Sequence, residues 1–162
     1  MVINSALKSA VGQITYIIWR ILNRSGDPVR NAYMEIWHAD NSGSYIHPSS
    51  MGYANRDQNF QGFGRFLTSS SGEYLFRTIK PGLYTGRTRH IHFKVKRKGQ
   101  RPWTTQLFVR DYPGNMQDGI YRSIGEASAR SAVTVEFAPV RGSRIGELAA
   151  RFDIVLGYTP AG

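Results

Sequence analysis

The chain has 162 residues, with 21 Lys and Arg against 11 Asp and Glu, a net charge of +10, and no cysteine. That length suits one domain with a hydrophobic core, and we expect residues 1–162 to form a single domain whose core spans about 12–156. The absence of cysteine excludes disulfides, iron–sulfur clusters and thiolate metal sites, so any metal would need His, carboxylate or Tyr ligands. No apolar run approaches the ~20 residues that cross a bilayer, so no membrane partner is expected.

Runs of Val, Ile, Phe and Tyr between Gly- and Pro-containing turns predict about eight strands, which favours an antiparallel β-sandwich. The strands are predicted at residues 11–22, 33–37, 64–68, 74–79, 89–96, 103–109, 133–137 and 151–156. Residues 39–62 are polar and predict a long irregular loop, a type of segment that often carries function. Residues 120–131 could hold one short helix. The predicted fold class is therefore all-β, with long functional loops and at most one short helix.

His90-Ile91-His92 lies in the fifth predicted strand. Side chains alternate along a strand, so His90 and His92 share one face and Ile91 lies on the other. Two imidazoles so placed can converge on one metal ion, although two histidines on a solvated face would show the same pattern. Tyr84 lies just after the turn at 80–82, and Tyr45 lies in the long loop. Two phenols with two imidazoles suit Fe(III) better than Zn(II) or Cu(I), although most tyrosines are packing residues.

Five stretches, in order and spacing, resemble the intradiol ring-cleavage dioxygenases, and most closely the protocatechuate 3,4-dioxygenase group. They are MEIWHADNSGSY at 34–45, NFQGFGRFLTSSSGEYLFRTIKPGLY at 59–84, HIHF at 90–93, TTQLF at 104–108 and RFDIVL at 151–156. The resemblance implies an enzyme that uses O₂ to open a catechol ring between its two hydroxylated carbons, giving a cis,cis-muconate. It further implies Fe(III) as the only cofactor, held by Tyr45, Tyr84, His90 and His92.

The resemblance also assigns roles around the metal. Tyr84 would be a catalytic base as well as a ligand, because in the family the matching tyrosine leaves the iron when the catechol binds. Arg87 would face the bound ring, Gln106 would lie beside the site, and Trp37 would pack near the iron. The family often has a Pro and a small residue where this chain has Thr88 and Arg89, so Arg89 could share the role of Arg87.

The substrate and the class of function leave alternatives open. Protocatechuate is the first choice, because a net charge of +10 favours a carboxylated catechol, but catechol and hydroxyquinol remain possible. The alternative function is a non-catalytic β-sandwich module that binds a polyanion through its basic face. A His-based Zn or Cu hydrolase would need a carboxylate or third His at ligand spacing, and none is evident. Basic residues are dispersed apart from a cluster at 94–101, so no nucleic-acid partner is expected. Oligomerisation is possible, and the sequence indicates no compartment.

The remaining polar candidates are predicted to have other roles. We expect His47 to be a loop surface residue, and His38 not to be a metal ligand because it follows Trp37 onto the opposite face of its strand. Asp40 and Asp57 are predicted to form turns through their side chains. Glu35 lies between apolar neighbours and is expected to be either solvated or paired.

Overall fold

The computed structural model describes residues 8–162, so residues 1–7 of the predicted domain lie outside the described part. The strands are β1 Ile14–Leu22, β2 Tyr33–Trp37, β3 Phe63–Leu67, β4 Glu73–Ile79, β5 His90–Lys96, β6 Trp103–Val109, β7 Thr134–Val135, β8 Ala138–Pro139, β9 Leu148–Arg151 and β10 Ile154–Val155. The helices are α1 Gly119–Ser123 and α2 Ala127–Val133, with 3₁₀ turns at Tyr53–Asn55 and Asn115–Gln117. None of the helices in residues 8–162 is long and apolar enough to span a membrane.

Two five-stranded sheets form the predicted β-sandwich. In one sheet β1 pairs antiparallel with β4 and parallel with β9 and β10, and β8 completes the edge beside β9. The other sheet has the order β3-β2-β5-β6-β7 and is antiparallel except between β6 and β7. The all-β prediction is therefore confirmed. The parallel pairs of β1 join strands from near the two ends of the chain, and the parallel β6–β7 pair joins strands separated by α1 and α2. Local sequence patterns report neither kind of pairing.

The first six predicted strands coincide closely with β1 to β6, and the last two differ. The strand predicted at 133–137 is confined to Thr134–Val135, because α2 continues to Val133. The strand predicted at 151–156 contains β10 but only the last residue of β9, most of which the prediction missed. Each of these two strands pairs with a different part of β1. The helical segment predicted at 120–131 holds two short helices, because the backbone is extended at Ile124 and again at Glu126.

The core lies between the sheets and fixes the register of β5. Ile91 and Phe93 are fully buried, and Val95 is nearly so. They pack in one cluster with Ile17 of β1 and Phe152. Burial of each such side chain stabilises the fold by about 1.5–3 kcal/mol. A slip of β5 by one residue would expose these groups, so the packing also fixes which face carries the two histidines.

Candidate metal centre

Three neighbouring strands align a row of side chains on one face of the second sheet. His92 of β5 is the cross-strand partner of Trp37 on β2 and of Gln106 on β6. Because directly opposed residues of antiparallel strands have their Cβ atoms about 4.5–5.5 Å apart, the three side chains are close neighbours. His90, two residues earlier on the same face, is paired with Phe108.

Tyr45 reaches this row from the long loop. Its hydroxyl oxygen lies 2.9 Å from His90 Nε2 and 3.3 Å from His92 Nε2, and the two nitrogens are 3.1 Å apart. Three potential donor atoms from two distant segments thus form a nearly equilateral triangle. The predicted convergence of His90, His92 and Tyr45 is therefore present in the geometry.

Both imidazoles of the triangle are favoured in their neutral form. His90 Nδ1 donates to the Thr88 carbonyl at 2.7 Å, which leaves Nε2 with a lone pair in the neutral ring. Burial lowers the pKa of His90, and the Thr88 carbonyl partly opposes that shift. Burial, assisted by the neighbouring His90 and Arg87, lowers the pKa of His92 to about 3. Neutral imidazole is the form that binds metals.

The Tyr45 phenol keeps its proton unless a cation replaces it. Burial raises the pKa of Tyr45 to about 12, although the positive charge of Arg87 acts in the opposite direction. A phenolate at this position therefore requires a strong Lewis acid beside the oxygen. Because the His90 Nδ1 proton is used on Thr88, only Tyr45 and His92 can supply protons to the three contacts of the triangle.

The triangle fits a bound transition metal. Ligand atoms about 2.0–2.1 Å from an ion and roughly at right angles lie about 3 Å from one another, which is close to the observed spacing. One phenol oxygen with two imidazole nitrogens is a donor set that suits iron. Among residues 8–162 no group of three or more His, Cys, Asp or Glu side chains is placed to hold an ion. The triangle contains two such side chains, and the Tyr45 phenol is its third member.

Tyr84, the fourth predicted ligand, lies beside the triangle but not within it. Its ring meets the Tyr45 ring edge-on, with centroids 5.1 Å apart. Within residues 8–162 its hydroxyl makes no hydrogen bond and its oxygen has no contact with His90 or His92 of the kind that Tyr45 has. The structure thus brings all four predicted ligands to one place and separates Tyr84 from the other three.

Two glycines allow the long loop to approach the turn that carries Tyr84. A Cβ atom at Gly43 would lie 1.9 Å from the Leu83 carbonyl oxygen, and one at Gly82 would lie 2.2 Å from the Asp40 carbonyl oxygen. The Gly82 N–H donates to that same Asp40 oxygen at 3.0 Å. Backbone meets backbone at this point, and no larger residue fits at either position without moving one of the segments.

The Asp40 carboxylate organises the loop itself. It accepts hydrogen bonds from the backbone N–H groups of Ser42, Ser44 and Asp57 at 2.6–2.9 Å. Asp57 accepts in turn from Asn59 N and Val11 N. The predicted turn-forming role of both aspartates is confirmed, and it explains how a polar loop holds Tyr45 in place.

Trp37 packs directly on a predicted ligand. Its ring stacks on His92 with centroids 4.8 Å apart and planes 1° from parallel. Lys94 Nζ lies 5.6 Å from the Trp37 ring centroid. The stack restricts rotation of the His92 ring, as expected for a group that orients a ligand.

Arg87 and Arg89 point to different surroundings. Arg87 donates from Nη2 to Gln106 Oε1 at 2.7 Å, and Gln106 is the cross-strand partner of His92. Arg89 instead donates to the Pro81 carbonyl and lies over the Tyr112 ring. The geometry therefore places Arg87, and not Arg89, with Gln106 next to the histidines.

The other polar candidates lie where the sequence predicted. His38 is buried, bonded to the Ala39 carbonyl and to Thr78 Oγ1 at 2.8 Å each, and takes no part in the triangle. His47 is exposed on the loop. Glu35 is paired with Lys96 at 2.7 Å and Arg65 at 3.4 Å.

The sequence reasoning missed one group near the site. Asp118 is almost fully buried and accepts from Arg87 Nε at 2.7 Å and from Thr88 N at 2.8 Å. Its other oxygen accepts from Ile120 N and Tyr121 N and caps α1. An Asp just before a helix start is a recognisable N-cap signal. That signal was available in the sequence, but it does not disclose the bond to Arg87.

Comparison with known proteins gives a consistent assignment. A family model described as Dioxygenase matches residues 2–157. The chain is 35% identical over 155 residues to the beta chain of protocatechuate 3,4-dioxygenase from Burkholderia cepacia, an alignment that covers 90% of this chain and 65% of that one. It is 32% identical over 119 residues to catechol 1,2-dioxygenase from Acinetobacter baylyi, covering 62% of this chain and 37% of that one. The chain thus spans less than two thirds of either relative's length.

Solved structures show the same fold. The dioxygenase domain of a dioxygenase carbohydrate-binding protein fusion from Streptomyces sp. SirexAA-E superposes with a TM-score of 0.71 at 27% identity, covering 95% of this chain and 84% of that one. An intradiol ring-cleavage dioxygenase from Tetranychus urticae does so with a TM-score of 0.71 at 19% identity, covering 94% and 85%. The family model matches nearly the whole chain, and a relative is 35% identical over 155 residues. The chain therefore belongs to the intradiol ring-cleavage dioxygenase family.

Proposed function

We propose that this chain is a non-haem Fe(III) dioxygenase that cleaves a catechol between its two hydroxylated carbons with O₂, giving a cis,cis-muconate. The observation that carries the proposal is the triangle of Tyr45 Oη, His90 Nε2 and His92 Nε2, with edges of 2.9–3.3 Å. Family membership supports the same reaction class. No feature of the described residues specifically favours the polyanion-binding alternative.

The proposed ligands are Tyr45, Tyr84, His90 and His92. Ferric iron held there would act as a Lewis acid that makes an electron-rich catecholate reactive toward O₂. Tyr84 is the ligand suited to leave, because it lies beside the triangle and no hydrogen bond within residues 8–162 holds its hydroxyl. A freed Tyr84 phenolate would take up a proton from a catechol hydroxyl, whereas Tyr45 is held between two imidazoles.

The surrounding side chains orient the reacting groups. Trp37 keeps the His92 ring in one plane by stacking on it. Gln106 accepts from Nη2 of Arg87, and in the proposed mechanism this bond would hold a permanent positive charge near the bound aromatic ring. A cation fixed in a largely buried site stabilises negative charge that develops on the ring during attack by O₂.

Protocatechuate is the proposed substrate, with related catechols as the alternatives. The net charge of +10 favours approach of an anionic catechol. The beta chain of a protocatechuate 3,4-dioxygenase aligns with 90% of this chain at 35% identity, which is consistent with the same choice.

The test is a visible absorption spectrum of the iron-reconstituted protein, before and after protocatechuate is added without O₂. We expect a tyrosinate-to-Fe(III) charge-transfer band that shifts when the catechol is added, followed by ring cleavage once O₂ is admitted. Unsubstituted catechol and hydroxyquinol in parallel rank the substrates. A colourless protein that binds no iron after reconstitution would overturn the proposal.

A further inference from the structure

We propose that Asp118 is a positioning residue for the reaction, because it holds the guanidinium of Arg87 in the orientation in which it meets the bound aromatic ring. This inference rests on the proposed function and deepens it. Its basis is a set of buried contacts that join the start of α1 to the segment before β5.

The Arg87 guanidinium is held at two of its three nitrogens. Nε donates to Asp118 Oδ2 at 2.7 Å and Nη2 donates to Gln106 Oε1 at 2.7 Å. Because the group is planar, two bonds from different atoms fix both its position and its plane. Nη1 has no acceptor among residues 8–162 and can donate to a ligand. The Arg87 side chain is only 18% exposed, so solvent competes weakly for these bonds.

Asp118 is itself held more firmly than a surface carboxylate. Its side chain is 0% exposed and accepts four hydrogen bonds: two from Ile120 N and Tyr121 N on one oxygen, and two from Arg87 and Thr88 on the other. A buried carboxylate with four donors has one stable orientation. Arg87 is therefore bonded to a fixed point and not to a mobile partner.

The same contacts reach a proposed iron ligand. Asp118 accepts from Thr88 N, and the Thr88 hydroxyl donates to Asn115 Oδ1 at 2.7 Å. The Thr88 carbonyl accepts from His90 Nδ1. The Asn115–Asp118 segment thus supports Arg87 directly and the His90 ring through one residue.

An open cavity of about 280 Å³ borders Arg87, Thr88 and Asp118. Arg87 lines this cavity and also bonds Gln106. The bond to Asp118 restricts how far the guanidinium can move into that open space.

The experiment is a double-mutant cycle with Asp118→Asn and Arg87→Ala in the iron-loaded full chain. Asn keeps one acceptor oxygen for the cap of α1, but its NH₂ group can accept neither from Arg87 Nε nor from Thr88 N, which share the second oxygen of Asp118. A retained charge-transfer band shows that the lost Thr88 bond leaves His90 in place. We expect kcat/KM for the catechol to fall by about 100-fold in Asp118→Asn, with the charge-transfer band retained. In the Arg87→Ala background the same change should cost little more, because its effect acts through Arg87.

Two controls separate positioning from folding. Asp118→Ala also removes the helix cap, so it should resemble Asp118→Asn in kcat/KM but melt at a lower temperature. Tyr121→Phe removes only the hydrogen bond from α1 to Thr134 and should leave turnover unchanged. Independent, multiplicative losses in the double mutant, or normal turnover in Asp118→Asn, would overturn the proposal.

A crystal structure of Asp118→Asn tests the positioning role of Asp118 separately from the proposed dioxygenase function. A displaced Arg87 guanidinium supports positioning by Asp118, even if the wild-type chain turns over no catechol and the proposed function is wrong. A guanidinium in its original place overturns the positioning role, whatever the activity of the wild type.

Discussion

The hydroxyl oxygen of Tyr45 lies within 3.3 Å of both histidine Nε2 atoms. Tyr45→Phe removes that oxygen and keeps the ring, so we expect the variant to lose most of its bound iron and its visible absorption. Iron per chain by atomic absorption and the visible spectrum measure both effects. Tyr33→Phe, at a β2 side chain that is 57% exposed, is the matched control and should keep both. Full iron occupancy in Tyr45→Phe would remove this residue from the ligand set.

Trp37 should affect how tightly iron is held without being a ligand. Trp37→Leu removes the ring stacked on His92 and leaves every proposed donor atom in place. Loss of a group that orients a ligand typically weakens metal affinity by about 10- to 100-fold. Competition against a chelator measures this affinity. Equal iron affinity in Trp37→Leu and wild type would show that the stack is not needed to orient His92.

His38 makes the stability of the fold depend on pH. Burial lowers the pKa of His38 from 6.5 to about 4, so the folded chain keeps it neutral while the unfolded chain protonates it below pH 6.5. The stability contributed by neutral His38 is present above pH 6.5 and is lost as the pH falls toward 4. Over that pH range the free energy of unfolding should fall by about 3 kcal/mol through this group. Urea denaturation at pH 7 and pH 5 should show a larger loss in wild type than in His38→Gln, and equal losses would contradict this assignment.

At the scale of elements, the contact between the long loop and the turn before β5 determines whether Tyr45 and Tyr84 can meet. A Cβ at Gly82 would lie 2.2 Å from the Asp40 carbonyl oxygen. Gly82→Ala should therefore force the segments apart, destabilise the fold by about 1–3 kcal/mol and weaken iron binding. Gly125→Ala is the control, since a Cβ there meets nothing within 4 Å. Urea denaturation and iron titration check both variants, and a Gly82→Ala variant that matches wild type would rule out a tight contact.

The elements also show which kinds of information the sequence carries. Strands β1 to β6 were predictable because each has a local pattern of apolar residues bounded by turns. β9 and β10 were not separable, because their existence depends on pairing with a strand at the other end of the chain. Alternation along a strand is also a local pattern, so the His90-Ile91-His92 sequence predicted that the two histidines share one face. The bond from Arg87 to Asp118 joins residues 31 apart in the chain, and no periodicity reports it.

At the scale of the whole molecule, one core cluster draws side chains from both sheets, from Ile17 near the start to Leu156 near the end. This shared core supports the proposal of a single domain. The burial pattern gives no reason to divide the described residues into two domains.

The net charge of +10 should make the reaction sensitive to salt when the substrate is an anion. Electrostatic steering raises association rates by about 10-fold or more and falls as salt shortens the screening length from about 30 Å at ~0.01 M to about 8 Å at ~0.15 M. We therefore expect kcat/KM for protocatechuate to fall over that range, while neutral catechol shows little change. Steady-state kinetics at several salt concentrations check this. An equal response for both substrates would show that net charge does not select the carboxylate.

The parallel pairing of β1 with β9 has a consequence for how the chain reaches its native state. Thr15 of β1 is aligned with Leu148 of β9, so the first sheet closes a very long loop, whereas the sheet that carries the two histidines uses strands between residues 33 and 135. Long loops close late because their entropy cost comes before the contacts that repay it. We predict that amides of β2, β5 and β6 gain protection in pulsed hydrogen exchange before the β1–β9 amides do. During synthesis, the face that carries the two histidines would then form before the sandwich is complete.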